Sequence, residues 1–304
     1  MRRLLFLTVF VCSLLTTFSQ RNILLIIADD VGVGPIPGYL PNSTKANMPN
    51  LESLASNGLT FDNAWANPLC SPTRAGILTG KYGFRTNVLN ATDLSGLSID
   101  EQSLHEYIAE HSPIDYSSSL IGKWHLSGEG VTIPEYPNEL GIPYFAGLLQ
   151  GGVTDYYGWN LVQDSQTTYT TEYITTKITD LAIDWINGQN QPWFCWLAYN
   201  APHTPFHLPP SVMHSQGNLS TDPDSIDANP LPYFLAMLES VDYEMGRLFA
   251  NIPQTVLDST TIIFIGDNGT DNRILEAPYP SGRGKLSLFQ LSLIHISEPT
   301  RPST

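Results

Sequence analysis

An α/β fold with a mostly parallel central sheet and helices on both faces is predicted by two features of the chain. Four short apolar runs, Asn22–Ala28, Ser118–Ile121, Trp193–Tyr199 and Thr260–Ile265, each lead into a polar cluster: Asp29-Asp30, Lys123 with His125, His203, and Asp267-Asn268. Between the runs lie segments with apolar residues at helical spacing, so strands and helices alternate. Ligands of such sheets gather beyond the C-terminal strand ends, so parallel strands would bring all four clusters to one edge.

Asn22-Ile-Leu-Leu-Ile-Ile-Ala28 is apolar without alternation, as expected of a strand covered on both faces. Met48–Gly58 reads as a short helix with Leu51, Leu54 and Ala55 on one face and Gly58 as its stop. Phe61–Ala66 leads into a loop that becomes a helix around Cys70–Gly80. Pro72 suits a first turn, Ala75, Ile77 and Leu78 continue it, and Gly80 ends it. Ser103–His111 reads as helix, and Ser118–Ile121 as the second buried strand. Gly128–Asn160, rich in Gly, Pro and Tyr, reads as a long irregular excursion. Thr171–Asn187 is an amphipathic helix, with Ile174, Ile178, Leu181, Ala182, Trp185 and Ile186 at helical spacing. Trp193–Tyr199 is the third strand. Pro209–Leu231 reads as loop, and Leu231–Ala250 as a helix with Phe234, Leu238, Val241 and Met245 inward. Thr260–Ile265 is the fourth strand.

The two ends are set apart from this fold. Arg2 and Arg3 precede the apolar stretch Leu4–Leu15 and small polar residues, the pattern of a secretory signal peptide over 1–20. That stretch is too short to span a bilayer, so no stable membrane insertion is expected. The expected location is secreted, or a periplasmic or lysosomal-type compartment. Residues 291–304 resemble the translation of a transposase adapter used in sequencing libraries and read as a non-native tail, which leaves 21–290 for the fold. With 14 Lys and Arg against 29 Asp and Glu, the net charge is −15. That argues against nonspecific binding to nucleic acid or anionic membranes, though a locally basic site can still take an anionic substrate. Cys195, in an apolar run, reads as an inert buried thiol, and pairing with Cys70 is the alternative in an exported chain.

Asp29, Asp30, Asp267 and Asn268 offer only oxygen donors, which suit Ca²⁺ or Mg²⁺ rather than Zn²⁺. Converging carboxylates repel and need a cation, whereas single Asp residues also cap loops and helices. Lys123 and His125, two apart, would share one side of an extended backbone. Either could equally be a solvated surface group, and His203 and His207 could be loop histidines. Cys70 falls at a helix N-terminus, where unpaired N–H groups favour negative charge, and Arg74 is one turn on. Tyr156, Tyr157 and Trp159 could stack on a sugar or aryl ring, or serve as core and loop aromatics.

Cys70-Ser71-Pro72-Thr73-Arg74 with Leu78-Thr79-Gly80 resembles the signature of the type I sulfatases, arylsulfatase-like members of the alkaline-phosphatase-like superfamily. Gly-Lys-Trp-His-Leu at 122–126 and Asn-Ala-Pro-His-Thr-Pro at 200–205 resemble two further motifs of that family, and Lys285 matches its late lysine. The resemblance covers most of 22–290. It implies that a formylglycine-generating enzyme oxidises Cys70 to formylglycine. It implies a divalent cation, usually Ca²⁺, held by Asp29, Asp30, Asp267, Asn268 and residue 70. It further implies that Arg74, Lys123 and Lys285 neutralise a sulfate, that His203 protonates the departing alcohol, and that His125 takes a proton when sulfate is expelled. The implied substrate is a small-molecule or carbohydrate sulfate ester. On this resemblance the family's C-terminal region is missing after Gln290. The other readings are a phosphate mono- or diester or phosphonate hydrolase of the same superfamily, and a non-catalytic exported binding protein.

Overall fold

The computed structural model of the chain describes residues 22–62, 64–91, 96–128, 133–276 and 295–297. The expected leader, Lys285 and most of the 291–304 segment lie outside the described residues. Among the described residues nine strands form one sheet: β1 (Asn22–Ala28), β2 (Gly58–Thr60), β3 (Ser117–Lys123), β4 (Tyr144–Leu148), β5 (Trp159–Gln163), β6 (Gln166–Thr170), β7 (Trp193–Ala198), β8 (Thr260–Gly266) and β9 (His295–Ser297). Their order is β2-β9-β8-β1-β7-β3-β4-β5-β6. The run β8-β1-β7-β3-β4 is parallel, and the outer pairings are antiparallel. The four strands expected from the apolar runs are thus neighbours at the centre of the sheet.

Alternation along β1 explains the two layers of helix. Leu24, Ile26 and Ala28 join one core with α1 (Pro49–Ser56), α6 (Ile174–Asn187) and α8 (Leu231–Ala250). Leu25 and Ile27 face the opposite core, with Ala75 and Leu78 of α2 (Cys70–Thr79) and the half-buried Leu104 and Ile108 of α4 (Leu104–His111). Each large side chain so buried contributes about 1.5–3 kcal/mol, which is why a strand apolar on both sides takes the centre. The α4 helix starts at a full capping box between Ser103 and Glu106. Asp242 of α8 accepts from the backbone N–H of Asn50 and Leu51, so one helix caps another's N-terminus.

The structure corrects two expectations. The segment 128–160 is not irregular throughout: it holds α5 (Tyr136–Glu139), β4 and the start of β5. Leu148, Phe145 and Ala146 of β4 are buried, so this short strand carries the same apolar signal as the others, masked by flanking Gly and Pro. The β5–β6 hairpin turns at Asp164 and Ser165, both with positive φ, without the glycine that usually announces such a turn. The loop 209–231 contains a 3₁₀ turn at Ser211–Met213 and α7 (Pro223–Ala228); α3 (Gly83–Thr86) and α9 (Gln254–Leu257) are further short turns of helix. Cys70 and Cys195 are both free. Cys195 belongs to the α6/α8 core while α2 covers the other face, so the sheet separates them. Within the segment read as a foreign tail, β9 pairs antiparallel with both β8 and β2. No helix among the described residues is long and apolar enough to cross a membrane.

Candidate active site

All four polar clusters meet at the C-terminal edge of the parallel strands, roofed by the first turn of α2. Asp29 and Asp30 leave β1; Asp30 turns the chain with φ 60°, a conformation Asp tolerates better than most residues. Asp30 N–H donates to Asp267 Oδ1 at 3.1 Å, tying the end of β1 to the end of β8. Gly32 N–H donates to Thr270 Oγ1 at 2.9 Å, and a Cβ on Gly32 would lie 2.9 Å from that oxygen, so the two loops meet only because residue 32 is glycine. Asn268 Nδ2 donates to Asp30 Oδ1.

The charges interlock. Arg74, 1% exposed, donates from Nε to Asp267 Oδ2 at 2.9 Å, from Nη1 to the carbonyl of Lys123 at 3.0 Å, and approaches Asp29 Oδ1 at 3.5 Å with Nη2. The Lys123 ammonium, fully buried, donates to Asp29 Oδ2. Burial disfavours both cations, but Asp29 and Asp267 outweigh it and raise the Arg74 and Lys123 pKa values. Asp267 is pushed up to about 7, first by burial and then by Asp29, against the pull of Arg74 and Lys123.

Cys70 is the first residue of α2, 5% exposed, and its Sγ lies 3.2 Å from His125 Nδ1. The helix position alone would favour a thiolate. Burial, Asp29 and Asp267 outweigh Lys123 and Arg74, and the thiol is pushed up to about 11. Unmodified Cys70 is therefore protonated at neutral pH. His125 is pushed down to about 2, first by burial and then by Lys123, Arg74 and His203, so it is a neutral imidazole. His203 Nε2 lies 3.8 Å from Asp30 Oδ2, and its Nδ1 lies 2.8 Å from the carbonyl of Thr204.

Lys123 and His125 reach the site by a different route from simple strand alternation. Gly122, at φ 109°, passes so close to β7 that a Cβ would stand 1.9 Å from the carbonyl oxygen of Ala198. The strand ends at Lys123, and His125 then takes φ 58°, its N–H bonded to Leu149 O at 3.0 Å. This kink swings His125 to Cys70. Ser71 Oγ holds it there by donating to its carbonyl at 3.0 Å.

Residues that the sequence pattern did not single out complete the site. A Cβ on Gly151 would lie 2.2 Å from His125 Cε1, and one on Gly152 would lie 3.3 Å from His203 Cε1. Both glycines come after β4, whose run into Gln150-Gly151-Gly152 repeats the strand-then-cluster pattern and was the available signal. Both polar side-chain atoms of Asn200 are buried without a partner among the described residues. Tyr156 and Trp159 are 1% and 3% exposed, so they belong to the core and not to a stacking platform; Tyr157 is partly exposed and donates to Leu208 O at 3.1 Å. His207 is held between Pro205 O and the Tyr173 hydroxyl.

Asp29, Asp30, Asp267 and Asn268 fit an oxygen-preferring divalent cation. Among the described residues three buried carboxylates face two full cations, and Asn268 Oδ1 is buried with no hydrogen-bond donor on it. The described His, Cys, Asp and Glu side chains do not stand as a closed metal shell, because Arg74 and Lys123 occupy carboxylate oxygens that a cation would share.

A mostly parallel sheet with a helix N-terminus presenting a buried cysteine over a carboxylate, lysine and histidine cluster defines an α/β protein with its polar site at the C-terminal strand edge. The sulfatase family model matches residues 21–285. The chain belongs to the sulfatase family. It is 28% identical over 315 residues to the uncharacterised sulfatase YdeN of Escherichia coli K12, covering 87% of this chain and 54% of that protein. It is 26% identical over 274 residues to arylsulfatase J of Mus musculus, covering 83% and 43%. The structure of BT4656 in complex with its substrate D-glucosamine-2-N,6-O-disulfate superposes with a TM-score of 0.67 at 21% identity, over 92% of this chain and 71% of that one. The chain spans about half the length of the curated relatives it matches.

Proposed function

We propose that residues 21–290 carry the catalytic part of a sulfuric ester hydrolase that cleaves the S–O bond of a carbohydrate or aryl sulfate and releases inorganic sulfate. The observation that carries this reading is Cys70 itself: buried in the first turn of α2, 3.2 Å from His125 Nδ1, with its thiol held protonated. A protonated thiol is a weak nucleophile, so this reading gives the attack to a formylglycine made from Cys70 by a formylglycine-generating enzyme and not to the thiol itself. The aldehyde hydrate supplies two geminal hydroxyls, one to attack sulfur and one to collapse the resulting ester, a step that a serine could not perform. A Ca²⁺ or Mg²⁺ ion held by Asp29, Asp30, Asp267, Asn268 and residue 70 would supply Lewis-acid stabilisation of the sulfate charge.

The chain's own residues do the remainder. Arg74 and Lys123, fixed by Asp29 and Asp267, would present positive charge to the equatorial sulfate oxygens, a role the motif resemblance extends to Lys285, which lies outside the described residues. His203 Nδ1 faces a carbonyl, which can only accept, so that nitrogen carries hydrogen; Nε2, 3.8 Å from Asp30 Oδ2, is the nitrogen that takes up a second proton and, from the imidazolium, delivers it to the departing alcohol. His125 Nδ1, beside residue 70, takes a proton from the second hydroxyl as sulfate leaves. Burial first, and then the neighbouring cations, hold His125 neutral in the free site, and a bound sulfate would offset the cations as the imidazole becomes charged. The arylsulfatase relative and the sugar-disulfate complex of the fold neighbour support the substrate class. Residues 1–20 as a secretory leader, a secreted, periplasmic or lysosomal-type destination, and 291–304 as a foreign tail remain part of this reading.

The test is the mass of the Cys70 peptide from protein made in its native source, together with sulfate release from 4-nitrophenyl sulfate and a sulfated glucosamine. An aldehyde at 70 with sulfate release is expected. An intact thiol in folded, cation-loaded protein with no sulfate release overturns the reading.

A further inference from the structure

The turn 200–203 that carries His203 is closed from outside by a residue the mechanism above does not use. His203 N–H donates to Asn200 O at 2.9 Å. The buried hydroxyl of Tyr156 sits against both ends of this turn, 2.5 Å from His203 O and 3.0 Å from Asn200 O. Tyr156 is itself fixed. Its carbonyl accepts the N–H of Ile174 at 3.0 Å, the first residue of α6. Its ring lies on His207, 4.1 Å between centroids. His207 Nδ1 lies 3.2 Å from Pro205 O and Nε2 lies 3.1 Å from the Tyr173 hydroxyl, which lies 3.2 Å from Ser240 Oγ in α8. A continuous relay of contacts thus runs from two core helices to the backbone of His203.

We propose that Tyr156 is a positioning residue for the general acid: its phenolic proton, shared between two carbonyls of one turn, fixes the His203 backbone so that Nδ1 stays on Thr204 O and Nε2 faces the reacting oxygen. This rests on the reading of His203 as the proton donor. A proton donor must stand within hydrogen-bond reach of its acceptor, and small misplacements are costly in rate. Gly152 lies close against the imidazole, where a Cβ would stand 3.3 Å from His203 Cε1 and 3.5 Å from Nδ1, so the ring keeps its place only while the two backbones keep theirs. Phenylalanine at 156 would keep the stack on His207 and remove only the O–H.

The experiment compares Tyr156→Phe with the parent, both matured and cation-loaded, on 4-nitrophenyl sulfate and on a sugar sulfate. The nitrophenolate leaves without a proton; the sugar alcohol does not. The expected result is a kcat lowered about ten- to a hundredfold on the sugar sulfate with KM unchanged, and a loss within about threefold on the nitrophenyl ester. In a His203→Ala background the substitution is expected to cost nothing further. Tyr157→Phe, which loses only the bond to Leu208 O, controls for nonspecific disturbance and is expected to match the parent. Equal losses on both esters, or additive losses with His203→Ala, overturn the proposal. A second readout needs no turnover: ¹⁵N NMR of the His203 ring, recorded at a pH where the imidazole is neutral, is expected to show a single Nδ1–H tautomer in the parent and a mixture in Tyr156→Phe. Identical spectra overturn the positioning role. Absence of sulfate release from the parent, with the tautomer difference intact, overturns the sulfatase reading instead.

Discussion

Arg74 places two nitrogens on one oxygen of Asp267: Nε at 2.9 Å and Nη2 at 2.7 Å from Oδ2, with both side chains essentially inaccessible to water. The other oxygen, Oδ1, takes the N–H of Asp30 at 3.1 Å. This contact links α2 to the end of β8 and orients the guanidinium that also meets Asp29. Removing the cation leaves a buried carboxylate without its partner. Arg74→Met is expected to destabilise the fold by about 3–5 kcal/mol, with Arg74→Lys recovering part of that. Urea denaturation checks it, and a loss below about 1 kcal/mol in Arg74→Met would refute a stabilising role for the pair.

Gly151 tests the site without testing the fold. A Cβ there would meet three ring atoms of His125 at 2.2–2.7 Å, so the imidazole must move away from Cys70. Gly151→Ala is expected to lower kcat about a hundredfold while the urea midpoint changes little. Full activity in soluble Gly151→Ala would show that the His125 position seen here is not the working one.

Stability should fall in mild acid through His105. It is fully buried against Phe194 and Trp196, with Nε2 3.2 Å from Ser119 O and Nδ1 without a partner among the described residues. Burial pushes it down from 6.5 to about 4, partly offset by the Ser119 carbonyl. The unfolded chain therefore binds a proton between pH 6.5 and about 4 that the native chain does not, and native stability declines as pH falls through that window. The full contribution is on the order of 3 kcal/mol. Paired urea titrations at about pH 7 and about pH 4.5, either side of most of that window, should show a smaller acid loss in His105→Gln than in the parent; parallel curves would refute the assignment.

Cation binding should be visible in stability as well as in turnover. A divalent ion that binds only the folded site at a hundredfold excess over its Kd stabilises by about 2.7 kcal/mol. Ca²⁺ is expected to raise the midpoint of chelator-treated protein, and Asn268→Ala and Asp30→Asn are expected to weaken that response. A midpoint indifferent to Ca²⁺ and Mg²⁺ would remove the cation from the proposed mechanism.

Much of this arrangement was legible without coordinates, because a strand covered on both faces must be apolar throughout and announces itself. The runs at 22–28, 193–199 and 260–265 became β1, β7 and β8, and Ser118–Ile121 became the middle of β3. The residues just beyond such strands lie at one edge when the strands are parallel, so the convergence of Asp29, Lys123, His203 and Asp267 could be inferred from order alone. The helix at Ser103–His111 and the Gly80 stop were equally local, decided by groups within a turn or two; the capping box at Ser103 and Glu106 came only with the structure. By contrast, β4 hid among Gly and Pro, and the β5–β6 turn used Asp164 and Ser165 where glycine would have been read.

Local sequence settles the central sheet, its covering helices and the inventory of polar groups at its edge, since burial and turn chemistry act over a few residues. How those groups are charged and aimed is set only in the folded chain. The Cys70 thiol is protonated, against the preference of its helix N-terminus, because water is excluded and because Asp29 and Asp267 arrive from the ends of two strands. His125 reaches Cys70 because Gly122 must slip past Ala198 on a neighbouring strand. Desolvation and close approach are properties of contacts between distant segments, and no local pattern encodes them.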